Sequence, residues 1–324
     1  MSRCALWRLD PGSYARHELH AVERAWPEAN CYVDLWIEVL HTLGLDPCAS
    51  LAFTLAIDFE GDQWTFFKPP VADLFRLYGI DVQELNVWRA LPEHVEEQVS
   101  RGRMVIVDAD AYFLPDTGGM SYRSEHTKTA IGIQEIDREE KRLGYFHNGG
   151  YYALAGADFC GQFRLEEDAP SLPPYAEFAK FDSIRRRPPA ELAMESLDLA
   201  RAHLSRRPSA NPLTAYKERF PADVEWLTGK DLSVFHRYAF ATLRQLGACA
   251  ELSAHYLRWL ERKGQEDLEP ASRELDAVAA SAKALQFKVA RAVNTKKPVD
   301  LSTLAAMESS WAAATAHLAS RLGT

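Results

Sequence analysis

The chain has 324 residues, 47% of them hydrophobic and 26% charged, with 17 glycines and 17 prolines. That composition belongs to a folded protein and excludes the disordered, collagenous and disulfide-scaffold classes. The net charge of −9 hides an asymmetry, since residues 1–170 carry 15 basic and 28 acidic side chains and the remainder 22 and 18. An acidic body argues against a nucleic-acid partner, because neutralising phosphates takes a basic surface. Five cysteines (Cys4, Cys31, Cys48, Cys160, Cys249) with no CxxC pair read as reduced thiols of a cytoplasmic protein, not as a zinc site. No apolar run approaches the roughly 20 residues of a membrane span. The opening MSRCALWRLDPGSY lacks the apolar core of a signal peptide.

The first strong pattern runs from Asn30 to Leu43. Its polar members Asp34, Glu38 and His41 fall at i, i+4 and i+7, and the rest is apolar, so most of this helix is expected to be buried. Asn30 is a competent N-cap and Gly44 the expected stop. Cys31 then opens a central helix, where the dipole and free N–H groups favour a thiolate and suit a developing oxyanion. The opposing reading is a cysteine that serves as a small buried hydrophobe. The aromatics Trp36, Trp64, Phe66 and Phe67 read as core.

Further helices are expected over Pro69–Gly79 and Pro92–Arg101, the second leading into Met104–Asp110, a β-branched run suited to a strand buried on both faces. Thr127–Ile136 and Arg142–Phe146, joined by the polar turn Asp137–Glu140, read as an antiparallel hairpin. The segment Glu166–Phe178, with three prolines, ends all periodicity. Beyond it strand signals vanish. Pro188–Leu204, Asp231–Lys263, Glu269–Val293 and Leu301–Leu322 read as Ala-rich amphipathic helices, punctuated by proline or glycine at 212, 221, 229, 264, 270 and 298. The expected organisation is an α+β domain over residues 1–168 followed by an all-α helical bundle over 169–324.

A nucleophilic cysteine needs a base and a group that orients the base. His126 precedes the first strand of the hairpin, and His147-Asn148 ends the second, so pairing brings His126 and Asn148 to one end. Cys31, His126 and Asn148 then form a thiol triad in chain order: nucleophile, general base and orienting amide. Alternation along the strand turns His147 to the opposite face, which makes it the reserve base. No HExxH or other metal-ligand spacing occurs, so no metal is expected.

The runs VDADAYFLPDTGGMSYRSEHTKTAIGIQEID and RLGYFHNGGYYAL resemble the butirosin biosynthesis protein H-like domain. With NCYVDLWIEVLHTLGLDP and DFEGDQWTFFKPP, the first half is more closely similar to a bacterial domain-of-unknown-function family, the one numbered 1839, over roughly residues 5–165. The resemblance implies a papain-like cysteine-peptidase fold adapted to acyl transfer, with the nucleophile on Cys31, the base on His126 and the orienting residue on Asn148. This chain carries Asn where the butirosin pattern commonly has Asp. The function so implied is a thiol-dependent aminoacyl transferase that takes its acyl group from a carrier-protein thioester. The phosphopantetheine arm of that carrier is the substrate arm, a small-molecule or protein amine is the acceptor, and no cofactor is bound. The Asn30 side chain and the Cys31 N–H are expected at the oxyanion. Asp108, Asp110 and Asp116, around Tyr112, are expected at the substrate ammonium. Arg185, Arg186, Arg187, Arg206 and Arg207 are candidates for docking the acidic carrier. A cysteine peptidase or amidase on the same triad, and a non-catalytic carrier-binding module, are the alternative readings.

Overall fold

The computed structural model describes residues 3–165 and 172–323. The chain forms two compact units, which do not divide it at a single point. One unit takes Met1–Ala21, Asn30–Pro47 and Val71–Arg186; the other takes Val22–Ala29, Cys48–Pro70 and Arg187–Thr324.

The first unit contains β1 (Cys4–Ala5), α1 (Cys31–Thr42), α2 (Val71–Tyr78), β2 (Asp81–Glu84), α3 (Leu91–Ser100), β3 (Arg103–Asp110), β4 (Lys128–Asp137), β5 (Arg142–His147), β6 (Gly150–Ala155), α4 (Ala157–Gln162) and β7 (Ala176–Lys180). The strands make one antiparallel sheet in the order β2-β7-β3-β4-β5-β6, with β1 beside β4. The expected hairpin is present: Gly132 pairs with Phe146 and Asp137 with Arg142. Strand β4 is buried along nearly its whole length because both of its faces are covered. Gly132 faces α1 closely enough that a β-carbon there would lie 3.6 Å from Leu35 Cδ1 and 3.1 Å from Met104 Sδ. Its neighbours Ile131 and Ile133 join Val95 and Val99 of α3 in the core of the other face.

The boundary expected at residue 168 falls inside this unit, because β7 lies beyond it and fills the gap between β2 and β3. The five-residue stretch AEFAK carries little strand signal, since Glu177 occupies a buried position. Its carboxylate is held there by the hydroxyls of Tyr32 and Tyr175, each at 2.7 Å.

The second unit is helical: α5 (Pro189–Leu204), α6 (Pro212–Thr228), α7 (Leu232–Ala239), α8 (Gln245–Arg262), α9 (Glu269–Thr295) and α10 (Thr303–Leu322). The expected helix from Asp231 to Lys263 is split by a π-helical turn at Phe240–Arg244. Helix α6 was not expected, and it runs through Pro221, a position read as punctuation between helices. Two segments from the first half of the chain complete this unit. Trp26 donates its indole N–H to the Ala279 carbonyl at 3.0 Å, and Glu251 accepts the backbone N–H groups of Ala25 and Trp26. Trp64 lies within ring contact of Phe59, Tyr216 and Trp311. Of the four aromatics read as core, Trp36, Trp64 and Phe67 are buried, while Phe66 is 46% exposed.

Helix α8 approaches Trp26 at Gly247, where an added β-carbon would lie 2.4 Å from the indole ring. Gly247→Ala is therefore expected to destabilise the protein by about 1–3 kcal/mol through overpacking. Measured by urea denaturation, the double variant Trp26→Ala/Gly247→Ala should lose less than the sum of the two single variants, because the alanine methyl then enters vacated space.

Candidate functional site

Helix α1 begins as expected. Asn30 is extended, and its Oδ1 accepts the Val33 N–H at 3.1 Å. Gly44, at φ +66°, closes the other end. The cap commits the Asn30 amide oxygen to the helix. The Cys31 sulfur meets the Thr129 hydroxyl and the Ala130 N–H of β4. Burial pushes its pKa up, and the Asp34 charge adds to this, against the lowering effect of Thr129, Ala130 and Lys128; the net shift is upward. The expected preference for a thiolate is therefore not realised in the resting protein. The helix terminus is outweighed by loss of solvent and by a carboxylate one turn along the same helix.

Thr129 leads from Cys31 to a buried chain of hydrogen bonds. His147 Nε2 lies 2.8 Å from Thr129 Oγ1, and His147 Nδ1 lies 2.5 Å from Asp116 Oδ2. Tyr145 donates its hydroxyl to the other Asp116 oxygen at 2.5 Å. With Nδ1 donating to the carboxylate, Nε2 is the acceptor that faces the Thr129 hydroxyl. Asp116 thus orients His147, the reserve base, in place of binding an ammonium. Its three-residue LPD turn gave no sign of this partnership, which depends on how the loop after β3 folds back beside β5.

His126 is bound elsewhere. Its Nδ1 lies 2.6 Å from Asp110 Oδ2, and its ring stacks on Tyr112 with centroids 4.3 Å apart. Asp110 is itself fixed, because its Oδ1 accepts the Tyr112 N–H at 3.0 Å. His126 is largely exposed and lines an open pocket of about 720 Å³ with Asp108, Asp110 and Lys128. Asp108 is 3.0 Å from the Lys128 ammonium. Asn148 does not reach His126. It adopts φ +45° in the two-residue Asn148-Gly149 turn between β5 and β6, a role for which Asn-Gly is strongly favoured. The expected triad is therefore not assembled: Cys31, His126 and Asn148 share no hydrogen bond among the described residues.

The candidate docking arginines make local contacts. Arg185 lies over the Phe75 ring, Arg186 reaches the Gly44 carbonyl, Arg187 pairs with Glu191, and Arg206 bonds His203. Arg207 Nη1 is buried and makes no hydrogen bond among the described residues. Cys48, Cys160 and Cys249 are buried thiols, and none of the five cysteines forms a disulfide among the described residues. Among the described residues no group of three or more His, Cys, Asp or Glu side chains could hold a metal, and no helix is long and apolar enough to cross a membrane.

Sequence reasoning missed His20. Its Nδ1 bonds Glu38 and its Nε2 lies 3.3 Å from Asp34, placing the ring over the two α1 carboxylates, and all three side chains are buried. Burial disfavours the charged ring, but the hydrogen bonds and charges of Asp34 and Glu38 prevail and raise His20 to about 9. Gly149 is pressed on the same ring, where a β-carbon would lie 2.7 Å from His20 Cγ. The polar stripe at i, i+4 and i+7 was the available signal, but a partner eleven residues before the helix leaves no periodic trace.

The DUF1839 N-terminal domain matches residues 15–181, and the DUF1839 C-terminal domain matches residues 189–320. No curated protein shows significant similarity to the chain.

Because the folded pKa of His20 lies above the ordinary value near 6.5, its charge stabilises the fold fully below that value. This contribution is lost as pH rises toward 9. Urea midpoints measured from pH 6.5 to 9.5 should fall more steeply for the native chain than for His20→Gln, and the His20 ring should titrate near 9 by NMR.

Proposed function

The chain belongs to the DUF1839 family over both of its halves, and on that premise we propose that it is a cytoplasmic, thiol-dependent acyltransferase with Cys31 as nucleophile. The observation that carries this reading is the hydrogen-bonded chain Thr129–His147–Asp116, which begins beside a thiol at a helix N-terminus and ends in an oriented imidazole. A cysteine opening a helix that lies against an antiparallel sheet also accords with the papain-like, butirosin-protein-H-like relationship that the sequence motifs imply.

In this mechanism the thiol proton passes to the Thr129 oxygen as Thr129 gives its own to His147 Nε2. The thiolate attacks the carbonyl of an acyl or aminoacyl thioester carried on the phosphopantetheine arm of a carrier protein. First-turn N–H groups of α1 face the developing oxyanion. The donor C–S bond breaks, and His147 returns the proton through Thr129 to the departing thiol. An acyl-Cys31 intermediate remains for an incoming amine. Asp116 keeps His147 in the tautomer that accepts at Nε2. A thiol that rests protonated suits an activated thioester better than an amide, which favours acyl transfer over the peptidase reading.

Incubation with an aminoacyl-pantetheine thioester, followed by intact mass and peptide mapping, should show one acyl group on Cys31, absent in Cys31→Ser. His147→Ala should slow its formation by about 10²–10⁴-fold, and Thr129→Val should also slow it. Iodoacetamide alkylation of Cys31 should be slow at pH 7 and continue to accelerate through the ordinary thiol range, the upward pKa shift requiring more alkaline pH for the thiolate. Failure of Cys31 to acquire an acyl group while the chain still binds an acylated carrier protein would favour the non-catalytic binding module.

A further inference from the structure

The Cys31 pathway leaves a second Asp–His pair unused. Asp110 and His126 stand on the wall of the 720 Å³ pocket, a volume within the roughly 300–1,000 Å³ of small-molecule sites. Hydrogen bonding at Nδ1 and stacking on Tyr112 fix the His126 ring, while Nε2 makes no hydrogen bond among the described residues. An imidazole oriented by a carboxylate, with its second nitrogen open to a cavity, has the form of a general base. The pocket and the Cys31 site share a neighbour: Lys128 lines the pocket, and its charge acts on the Cys31 sulfur.

The lining chemistry is divided. Asp108 and Asp110 lie beside His126, Arg89 and Arg164 are also present, and Val87, Leu91, Phe113 and Phe163 supply apolar surface. Arg89 Nε is buried and makes no hydrogen bond among the described residues, its ion-pair partner Glu93 lying 3.8 Å away. Carboxylates, guanidinium groups and apolar walls together match a ligand bearing an ammonium, a carboxylate and an apolar body. We infer that this pocket binds an α-amino acid with an apolar side chain as the acyl acceptor, and that His126, oriented by Asp110, is its general base. The acceptor role rests on the proposed acylation of Cys31; the binding site does not.

The amino acid enters its reactive form by losing an ammonium proton to solvent. Its free nitrogen attacks the acyl-Cys31 carbonyl, and His126 Nε2 takes the proton that the nitrogen sheds as the C–N bond forms. The C–S bond breaks, Cys31 leaves as thiolate, and it regains a proton from the medium as His126 releases one. The product is an N-acyl amino acid, and the thiol is restored.

Two measurements on the full chain test this. Titration with L-phenylalanine, observed at the His126 ring by NMR and by calorimetry, should show saturable binding. Phenethylamine and 3-phenylpropionate should each bind at least about 10-fold more weakly, since each loses one charge-assisted contact. Separately, acyl-Cys31 should accumulate in His126→Gln and Asp110→Asn because its consumption by L-phenylalanine slows by about 10²–10⁴-fold. Accumulation should be relieved with increasing pH in the variants but not in the native chain. Absence of saturable phenylalanine binding overturns the site, and equal binding of phenethylamine overturns the zwitterion assignment. Acyl-Cys31 that is consumed equally fast in His126→Gln overturns the general base while leaving Cys31 as nucleophile. Phenylalanine binding without any acylation of Cys31 overturns the proposed transferase and supports the amino-acid site.

Discussion

The first unit depends on keeping two carboxylates in the dry face of one helix. Helix α1 places Asp34 and Glu38 where solvent cannot reach them, and an unpaired buried charge costs several kcal/mol. The His20 imidazolium, inserted across both, lets the helix lie against the sheet over its whole length. That position brings the first residue of α1 to the start of β4, so the location of the Cys31 sulfur follows from an ion cluster one and two turns away. The same ring fits under Gly149, which ties the turn after His147 to the helix that carries Cys31. Cys31 and the turn after His147 are thus tied to one buried cation.

Around the start of β4 the chain builds two Asp–His pairs of different character. Asp116–His147 is buried and ends at Thr129; Asp110–His126 is open and ends at a cavity. Because adjacent positions on a strand face opposite ways, Lys128 lines the pocket while Thr129 turns to His147. Under the proposed function this separates the two half-reactions of a transferase. A shielded base protects the acyl-enzyme from water, and an exposed one receives a second substrate.

Much of this was legible in the sequence. Helix α1 with its cap at Asn30 and stop at Gly44, the strands β3 and β4, and the hairpin to β5 all carry local patterns that agree with their tertiary setting. The α+β first half and helical second half followed from the change of period. What stayed hidden has non-local causes. His20, Asp116 and Glu177 are polar residues buried by partners distant in the chain, so no window of sequence records them. Asn148 was read as an orienting amide because its spacing fitted, yet the Asn-Gly pair equally announces a tight turn, and the left-handed backbone shows which requirement prevailed. His147 was read as a reserve base on the face opposite its neighbour, but its partners, Thr129 and Asp116, emerge only once β4, β5 and the loop after β3 are assembled.

The chain passes between its two compact units five times, at residues 21–22, 29–30, 47–48, 70–71 and 186–187. Trp26 waits for Ala279, which lies 253 residues further on. At the roughly 5–20 residues per second of ribosomal synthesis, that interval is roughly 13–50 s. During it, a nascent chain holds Trp26 without α9 and Trp64 without α10, each lacking part of its final cover. The helical unit therefore has no vectorial route to its final form. It is completed only after almost the entire polypeptide has left the ribosome, and a chain terminated near residue 270 leaves both aromatic segments partly uncovered, lacking Ala279 and Trp311, for any chaperone or protease that meets them.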